Sequence, residues 1–371
     1  MTTGIPGTPK RKSLFRLSPA RSPIDARYCV AVAWSSGRVY TCYWSSFDTY
    51  EGCPQRFLWS RGWGAIDVGG GPGRKKPVPY RRSEHHAVLG IVIGAVLEDF
   101  YNEELWRHRD GLQERLEAIL DKQFKLQLAK KYIDYNQAGS REEMRQVIYD
   151  GVFNYIGKTL KAHKLLGPYA RSEVDLVGYV NKYTPVGGRA DFIIKRPEDG
   201  PLPGITILDG KNSRRYKDPK KKGSMMTYTN PDQLRWYAMC FYLAYQYLPD
   251  RLGFVYFRFP HGAPVLDADG NDTGEKETGV DWVDFTKDDL KGLAARAVDA
   301  RKGMDREKFA ANPVPSYCRL CDYESVCPER EAQKAANRRA PKKPLDELDG
   351  ATGFVSFGFG NSGGSPDPGS G

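Results

Sequence analysis

The sequence predicts an α/β fold: a mixed β-sheet flanked by helices, with a helical insertion and a C-terminal cysteine cluster. Three observations carry this. The hydrophobic period switches from helical over residues 111–165 to alternating over residues 172–212. The resulting element order is helix, three strands, helix, strand, the order of a mixed sheet wrapped between helices. Three of the seven cysteines crowd into "YCRLCDYESVCPER" at 317–330.

The elements follow in order. Residues 1–27 form a Pro- and Ser-rich tail with six basic residues and one acid, predicted to be disordered. The folded part is expected over 28–330. "HAVLGIVIGAVLEDFYNEELW" is a mostly apolar, buried helix, and the charged pattern of 111–165 is a helical insertion. "SEVDLVGYV" (172–180), "GGRADFIIK" (187–195) and "GITILDGKN" (204–212) are β-rich and bounded by Gly and Pro. A helix is expected from Pro231 to about Leu248, with Asn230 as N-cap, Pro231 at the first helical position and Gln233 at N3. "RLGFVYFRF" (251–259) and "VDWVDF" (280–285) are further strands, and a helix starts near Thr286. The cysteine segment occupies about 313–330. Residues 331–371 open with a polar, helix-compatible stretch and end in a Gly/Ser-rich tail predicted to be disordered.

Composition narrows the function. The formal net charge of +10 fits a chain attracted to a polyanion, most often nucleic acid, against the plainer reading of a scattered basic surface. The longest apolar run, "AVLGIVIGAVL" (87–97), is too short to span a bilayer, and no signal-peptide-length run follows the basic start. The expected setting is the cytoplasm. Thiols stay reduced there, so clustered cysteines point to metal rather than disulfides.

The segment "ILDGKNS" places Asp209 and Lys211 two apart on a strand, hence on one face. Asp191, on the preceding strand, and Asp209 are equidistant from a turn centred near residue 200. In a bulge-free hairpin the two carboxylates face each other, and like charges there repel. A divalent cation turns that repulsion into binding, with Mg²⁺ (or Mn²⁺) the natural occupant. Lys211 beside it completes a hydrolytic site for phosphodiesters. The plain alternative is surface ion pairs on a hairpin. Gln233 and Tyr237, at i and i+4, share a face of the following helix, although Gln233 also fits a capping partner for Asn230 and Tyr237 fits core packing. "SRRYKDPKKKG" holds Arg214, Arg215, Lys217, Lys220, Lys221 and Lys222 against one acid, as a loop gripping a DNA backbone would, or as a solvated loop would.

The series "GGRADFII … ILDGKNS … DQLRWYA" resembles the active-site motifs of the PD-(D/E)XK nuclease superfamily in its RecB-like branch, whose core is restriction-endonuclease-like. "WSSFDTYEGCPQRFLW" resembles that branch's opening segment. The resemblance implies Asp191, Asp209 and the Gly210 carbonyl as metal ligands, and Lys211, Gln233 and Tyr237 as catalytic residues. It is similar to AddB-type and CRISPR-adaptation nucleases, which implies that Cys53 joins Cys318, Cys321 and Cys327 around a [4Fe–4S] cluster. Zinc is the rival occupant, and Cys42 a substitute for Cys53. Cys29, Cys42 and Cys240 otherwise fit core packing.

One departure stands out. The branch places a metal-binding His on its first helix, and Gly94 occupies that position. Glu98, one turn further on the same face, is the candidate to approach the metal, as is Glu173 on the first strand. His85 and His86 are expected in a solvated loop. The implied function is a metal-dependent DNA nuclease, an exonuclease on ends or single strands, in repair, recombination or replication, in the cytoplasm of a bacterial or phage-infected cell. Two other readings remain: a DNA-binding protein that has lost cleavage, and a docking subunit beside a helicase. The chain carries no phosphate-binding G-x-x-x-x-G-K-S/T loop of its own.

Overall fold

A computed structural model describes residues 31–34, 37–61, 83–166, 169–195, 204–214, 230–258, 262, 264–266, 272–314, 318 and 321–339. The two predicted tails, apart from 331–339, lie outside the described residues, as do Cys29 and the turn between the Asp191 and Asp209 strands.

The chain enters the fold through a hairpin, β1 (Ala31–Trp34) and β2 (Gly37–Tyr40), and a two-residue strand, β3 (Cys42–Tyr43). Helices α1 (Trp44–Gly52) and α2 (Pro54–Arg61) follow, then α3 (His85–Asn102). α3 buries one face: Val88, Leu89, Val92, Ile93, Val96, Leu97, Phe100 and Tyr101 recur at i, i+1, i+4 and i+5, the apolar stripe of a helix packed on a core. The predicted helical insertion is α4 (Leu112–Lys130), α5 (Tyr135–Ala138), α6 (Arg141–Asn154), a π-turn (Tyr155–Thr159) and α7 (Leu160–His163). A Ser140–Glu143 capping box starts α6.

Three long strands come next: β4 (Tyr169–Asn181), β5 (Thr184–Lys195) and β6 (Ile205–Arg214). After α8 (Pro231–Tyr245) come β7 (Arg251–Arg258), a small hairpin of β8 (Pro264–Leu266) and β9 (Asp272–Lys276), β10 (Val280–Val283), α9 (Lys287–Asp305) and α10 (Pro328–Arg339). α8 starts as expected, with the Asn230 side chain accepting from Asp232 N at 3.1 Å. It stops at Tyr245 rather than near Leu248, because Gln246 turns into the left-handed region at φ 57°. Thr286 caps α9 with Asp289.

β10, β7, β6 and β5 are hydrogen-bonded neighbours in that order, and the six-stranded sheet also takes in β3 and β4. β6 and β7 run parallel, while β5 runs antiparallel to β4 and β6, so the sheet is mixed. Side chains alternate faces with period two. Leu252, Phe254 and Tyr256 of β7 join one core, with α1, α8 and α9, and Val255 and Phe257 join the other, with α3, α4 and α6. The layers are therefore helix, sheet, helix. Trp236 fixes α8 against β5: fully buried, it donates its indole N–H to Gly187 O at 2.8 Å and stacks on Phe47. Burying a side chain of this size stabilises the fold by roughly 2–3 kcal/mol. Among the described residues, no helix is long and apolar enough to cross a membrane.

Candidate active site

The site forms where β5 and β6 part. Their ladder runs from Lys195↔Ile205 to Phe192↔Leu208, the register of a hairpin centred at residue 200. It stops there. β6 continues along β7 through Asp209↔Phe254 and Lys211↔Tyr256, while the start of β5 pairs with β3 through Val186↔Cys42. Asp191 and Asp209 are the first residues of the two strands beyond the fork. Asp191 Oδ2 accepts from Gly210 N at 2.7 Å, so a carboxylate replaces the next ladder bond. Position 210 requires glycine, because a Cβ there would lie 2.7 Å from the Phe257 ring.

Asp209 is 3% exposed. Its Oδ2 lies 2.5 Å from Lys211 Nζ, which confirms that the two share a face of β6. Gln233 knits the group together. Its amide oxygen accepts from Lys211 Nζ at 2.9 Å, and its Nε2 donates to Asp209 Oδ1 at 2.7 Å and to the Tyr237 hydroxyl at 3.1 Å. Gln233 is thus turned into the site and does not cap Asn230. Tyr237 lies against β5 at Gly188, where a Cβ would meet its ring at 2.7 Å.

Burial, then the charges of Asp209 and Glu173, push the Asp191 carboxyl well above the usual range, against the Gly210 N–H and Lys211. Burial raises Asp209 too, and the Lys211 ammonium opposes it. Burial and both carboxylates raise the Tyr237 phenol, which keeps it neutral. Negative charge in the fork is therefore under-compensated. The Asp209 Oδ2 has an ion pair but no well-directed hydrogen bond. Two carboxylates with the neighbouring Gly210 carbonyl are hard oxygen donors that fit a Mg²⁺-sized cation retaining most of its waters. Among the described residues, no three His, Cys, Asp or Glu side chains converge as a ready-made cage.

On the α3 side the fork opens into a cleft of about 410 Å³ lined by Gly94, Glu98, Glu173, Arg189 and Asp191, among others. Both expected acids therefore reach the cleft. Burial raises each carboxyl, and Arg189 opposes the shift in each. A Cβ at Gly94 would meet nothing within 4 Å, so this position is open space. Arg189 Nε lies 2.7 Å from Glu173 Oε2, a pairing not expected from the sequence. A signal for it exists: Arg189 precedes Asp191 by two on the same strand. His85 and His86 do not lie in a loop. They form the first turn of α3, with ring centroids 4.0 Å apart, and Asn212 Nδ2 donates to His86 O at 3.2 Å. Of the basic DNA-binding candidates, Arg215, Lys217, Lys220, Lys221 and Lys222 lie outside the described residues, and of Arg214 only the backbone, ending β6, is described.

Cys53, Cys318, Cys321 and Cys327 line one cavity between α2 and the C-terminal segment, with Arg56 and Arg330. Cys53 Sγ accepts from Asn312 N at 3.5 Å. Burial is the largest influence on the Cys318, Cys321 and Cys327 thiols and raises each. The donors are soft sulfur, suited to zinc or an iron–sulfur cluster. Cys42 is buried in β3 near Cys240 in the core, so it is not part of this cavity.

The sequence profile of the PD-(D/E)XK nuclease superfamily matches residues 44–328, and the chain belongs to that superfamily. Its members are usually phosphodiester-cleaving nucleases and commonly use divalent metals. No curated protein matches the chain significantly. Among solved structures, one titled "Crystal structure of SSO0001" is 18% identical over 53% of this chain and 79% of that one, with a TM-score of 0.28.

Proposed function

We propose that this chain is a divalent-cation-dependent deoxyribonuclease with a RecB-like core, acting as an exonuclease on DNA ends or single strands in repair, recombination or replication. The observation that carries the reading is the fork itself: buried Asp209, Lys211 and Gln233 joined at 2.5–2.9 Å where β5 leaves β6, with the Asp191 carboxylate beside them on the Gly210 N–H at 2.7 Å. Asp191, Asp209 and the Gly210 carbonyl would hold Mg²⁺ or Mn²⁺. Such an ion polarises a phosphoryl oxygen and lowers the pKa of a bound water. Gln233 orients Lys211 and Asp209 together. Lys211 keeps its ammonium beside the carboxylates, where it offsets charge developing on the phosphate. Tyr237, neutral and hydrogen-bonded by Gln233, holds that amide in place. The basic stretch from Arg214 to Lys222 supplies backbone contacts that carry no sequence preference. A helicase that feeds DNA to the site is the partner such a domain would serve.

Cys53, Cys318, Cys321 and Cys327 would hold a [4Fe–4S] cluster as thiolates, and it would tie α2 to the C-terminal segment. Arg56 and Arg330 in the same cavity offset thiolate charge.

End-labelled single- and double-stranded DNA, incubated with Mg²⁺, Mn²⁺ or EDTA, tests the reading. The expected result is stepwise loss of nucleotides with cation and none in EDTA. DNA that is shifted in a gel but stays intact with either cation would instead establish the DNA-binding reading.

A further inference from the structure

Among the described residues, five non-glycine residues have positive φ: Glu104, Lys164, Glu173, Gln246 and Glu307. Glu104, Lys164 and Gln246 cap helices and Glu307 follows the end of α9, where left-handed backbone is ordinary. Glu173 alone sits within a strand, at φ 56°. The β4–β5 register is the same on both sides of it, Ser172↔Phe192 and Val174↔Ala190, so no inserted residue forces the deviation. It is held from outside. Asn102, at the end of α3, clasps the preceding residue: Ser172 N donates to Asn102 Oδ1 at 3.1 Å, and Asn102 Nδ2 donates to Ser172 O at 3.4 Å. The Ser172 hydroxyl donates to Asp191 O at 2.7 Å. A strained backbone over-determined by its surroundings next to a reactive group is an outlier with a use.

Glu173 stands opposite Asp191 in the β4–β5 register, and both line the same cleft. Three acids, Glu98, Glu173 and Asp191, line that cleft against one base, Arg189. Glu173 does not converge with Asp191 and Asp209 closely enough to share an ion directly. Mg²⁺ and Mn²⁺ sites built on two carboxylates keep several waters, and these need acceptors.

We propose that Glu173 is a positioning residue of the cation site: from the left-handed kink in β4 it accepts hydrogen bonds from waters of a divalent cation held by Asp191 and Asp209. Arg189 holds its carboxylate in place. The proposal rests on the reading of Asp191 and Asp209 as cation ligands.

Mn²⁺ titration, followed by the EPR signal of free Mn²⁺, and thermal unfolding in EDTA test it on the full chain. Glu173→Gln is expected to weaken Mn²⁺ affinity by about 10–100-fold, the range for outer-sphere partners. Glu173→Gly is expected to weaken it as much and to raise the melting temperature in EDTA, since glycine adopts this φ without strain. This second variant keeps the test intact should the first fold poorly. Affinity within about twofold of the unmodified chain, together with a lowered melting temperature, would overturn the proposal and leave Glu173 as a structural partner of Arg189. Asp209→Asn separates the two levels: if it binds Mn²⁺ as tightly as the unmodified chain, the parent reading fails and the proposal with it.

Discussion

Asp209 Oδ2 and Lys211 Nζ lie 2.5 Å apart on one face of β6, and Gln233 touches both. Two residues apart in a strand, they were bound to share a face. What the fold adds is the fork that strips the neighbouring ladder from Asp191 and Asp209 and leaves their carboxylates under-compensated.

That charge imbalance sets a pH dependence. Both carboxyls are raised in the folded chain, so it holds protons that the unfolded chain releases. The pair's contribution to stability in EDTA is therefore fully present below the ordinary carboxylate value and is lost as pH rises through the raised folded values. Asp191→Asn, whose side-chain oxygen still accepts from Gly210 N, should stabilise the chelated protein at neutral pH by about 0.5–2 kcal/mol and flatten this slope. Chemical denaturation across pH checks it, and an unchanged slope counts against the imbalance.

Gln233→Leu removes the oxygen that holds Lys211 and the N–H that holds Asp209. Cleavage should fall by about 10–100-fold, the cost typical of residues that orient metal ligands, with DNA affinity unchanged in gel-shift titrations. A weakened affinity with normal turnover would place Gln233 on the substrate path instead.

Anaerobically purified protein should be brown and contain iron, and Cys321→Ala should lose the colour and part of its stability. Some of the tie should survive. The aromatic group of Tyr50, Phe57 and Phe309, with the Tyr50 hydroxyl donating to Lys308 O at 3.0 Å, joins the same two chain segments. A colourless protein with one equivalent of zinc would refute the cluster and keep the four-cysteine site.

Neutralising Lys220, Lys221 and Lys222 together should weaken DNA binding on every sequence. It should reduce the slope of log affinity against log salt by about 0.7–0.9 for each DNA phosphate that a lysine no longer neutralises. An unchanged slope would remove this stretch from the interface.

Much of this is legible in sequence because it is local. The Asn230 cap, the continuous apolar run of β7 and the register about residue 200 each depend on a few neighbouring residues. The elements that sequence does not announce depend on distant ones. β3 is two residues long and exists through its parallel pairing with β5. The β8–β9 hairpin has little apolar pattern to mark it. Nothing near Glu173 favours a left-handed backbone; the clasp that holds it comes from Asn102 on another layer. The end of α8 falls short of its sequence pattern because Gln246, an ordinary helix former, turns left-handed there.

The most direct test of the central claim is Lys211→Ala, read by cleavage of labelled DNA and by DNA binding in parallel. The ammonium sits against Asp209 Oδ2 and 5.1 Å from the Phe254 ring centroid, on a side chain 21% exposed. Its loss should lower cleavage by at least about 100–1,000-fold while DNA still binds. A Lys211→Ala protein that cuts as fast as the unmodified chain would contradict the assignment of phosphodiester cleavage to this fork.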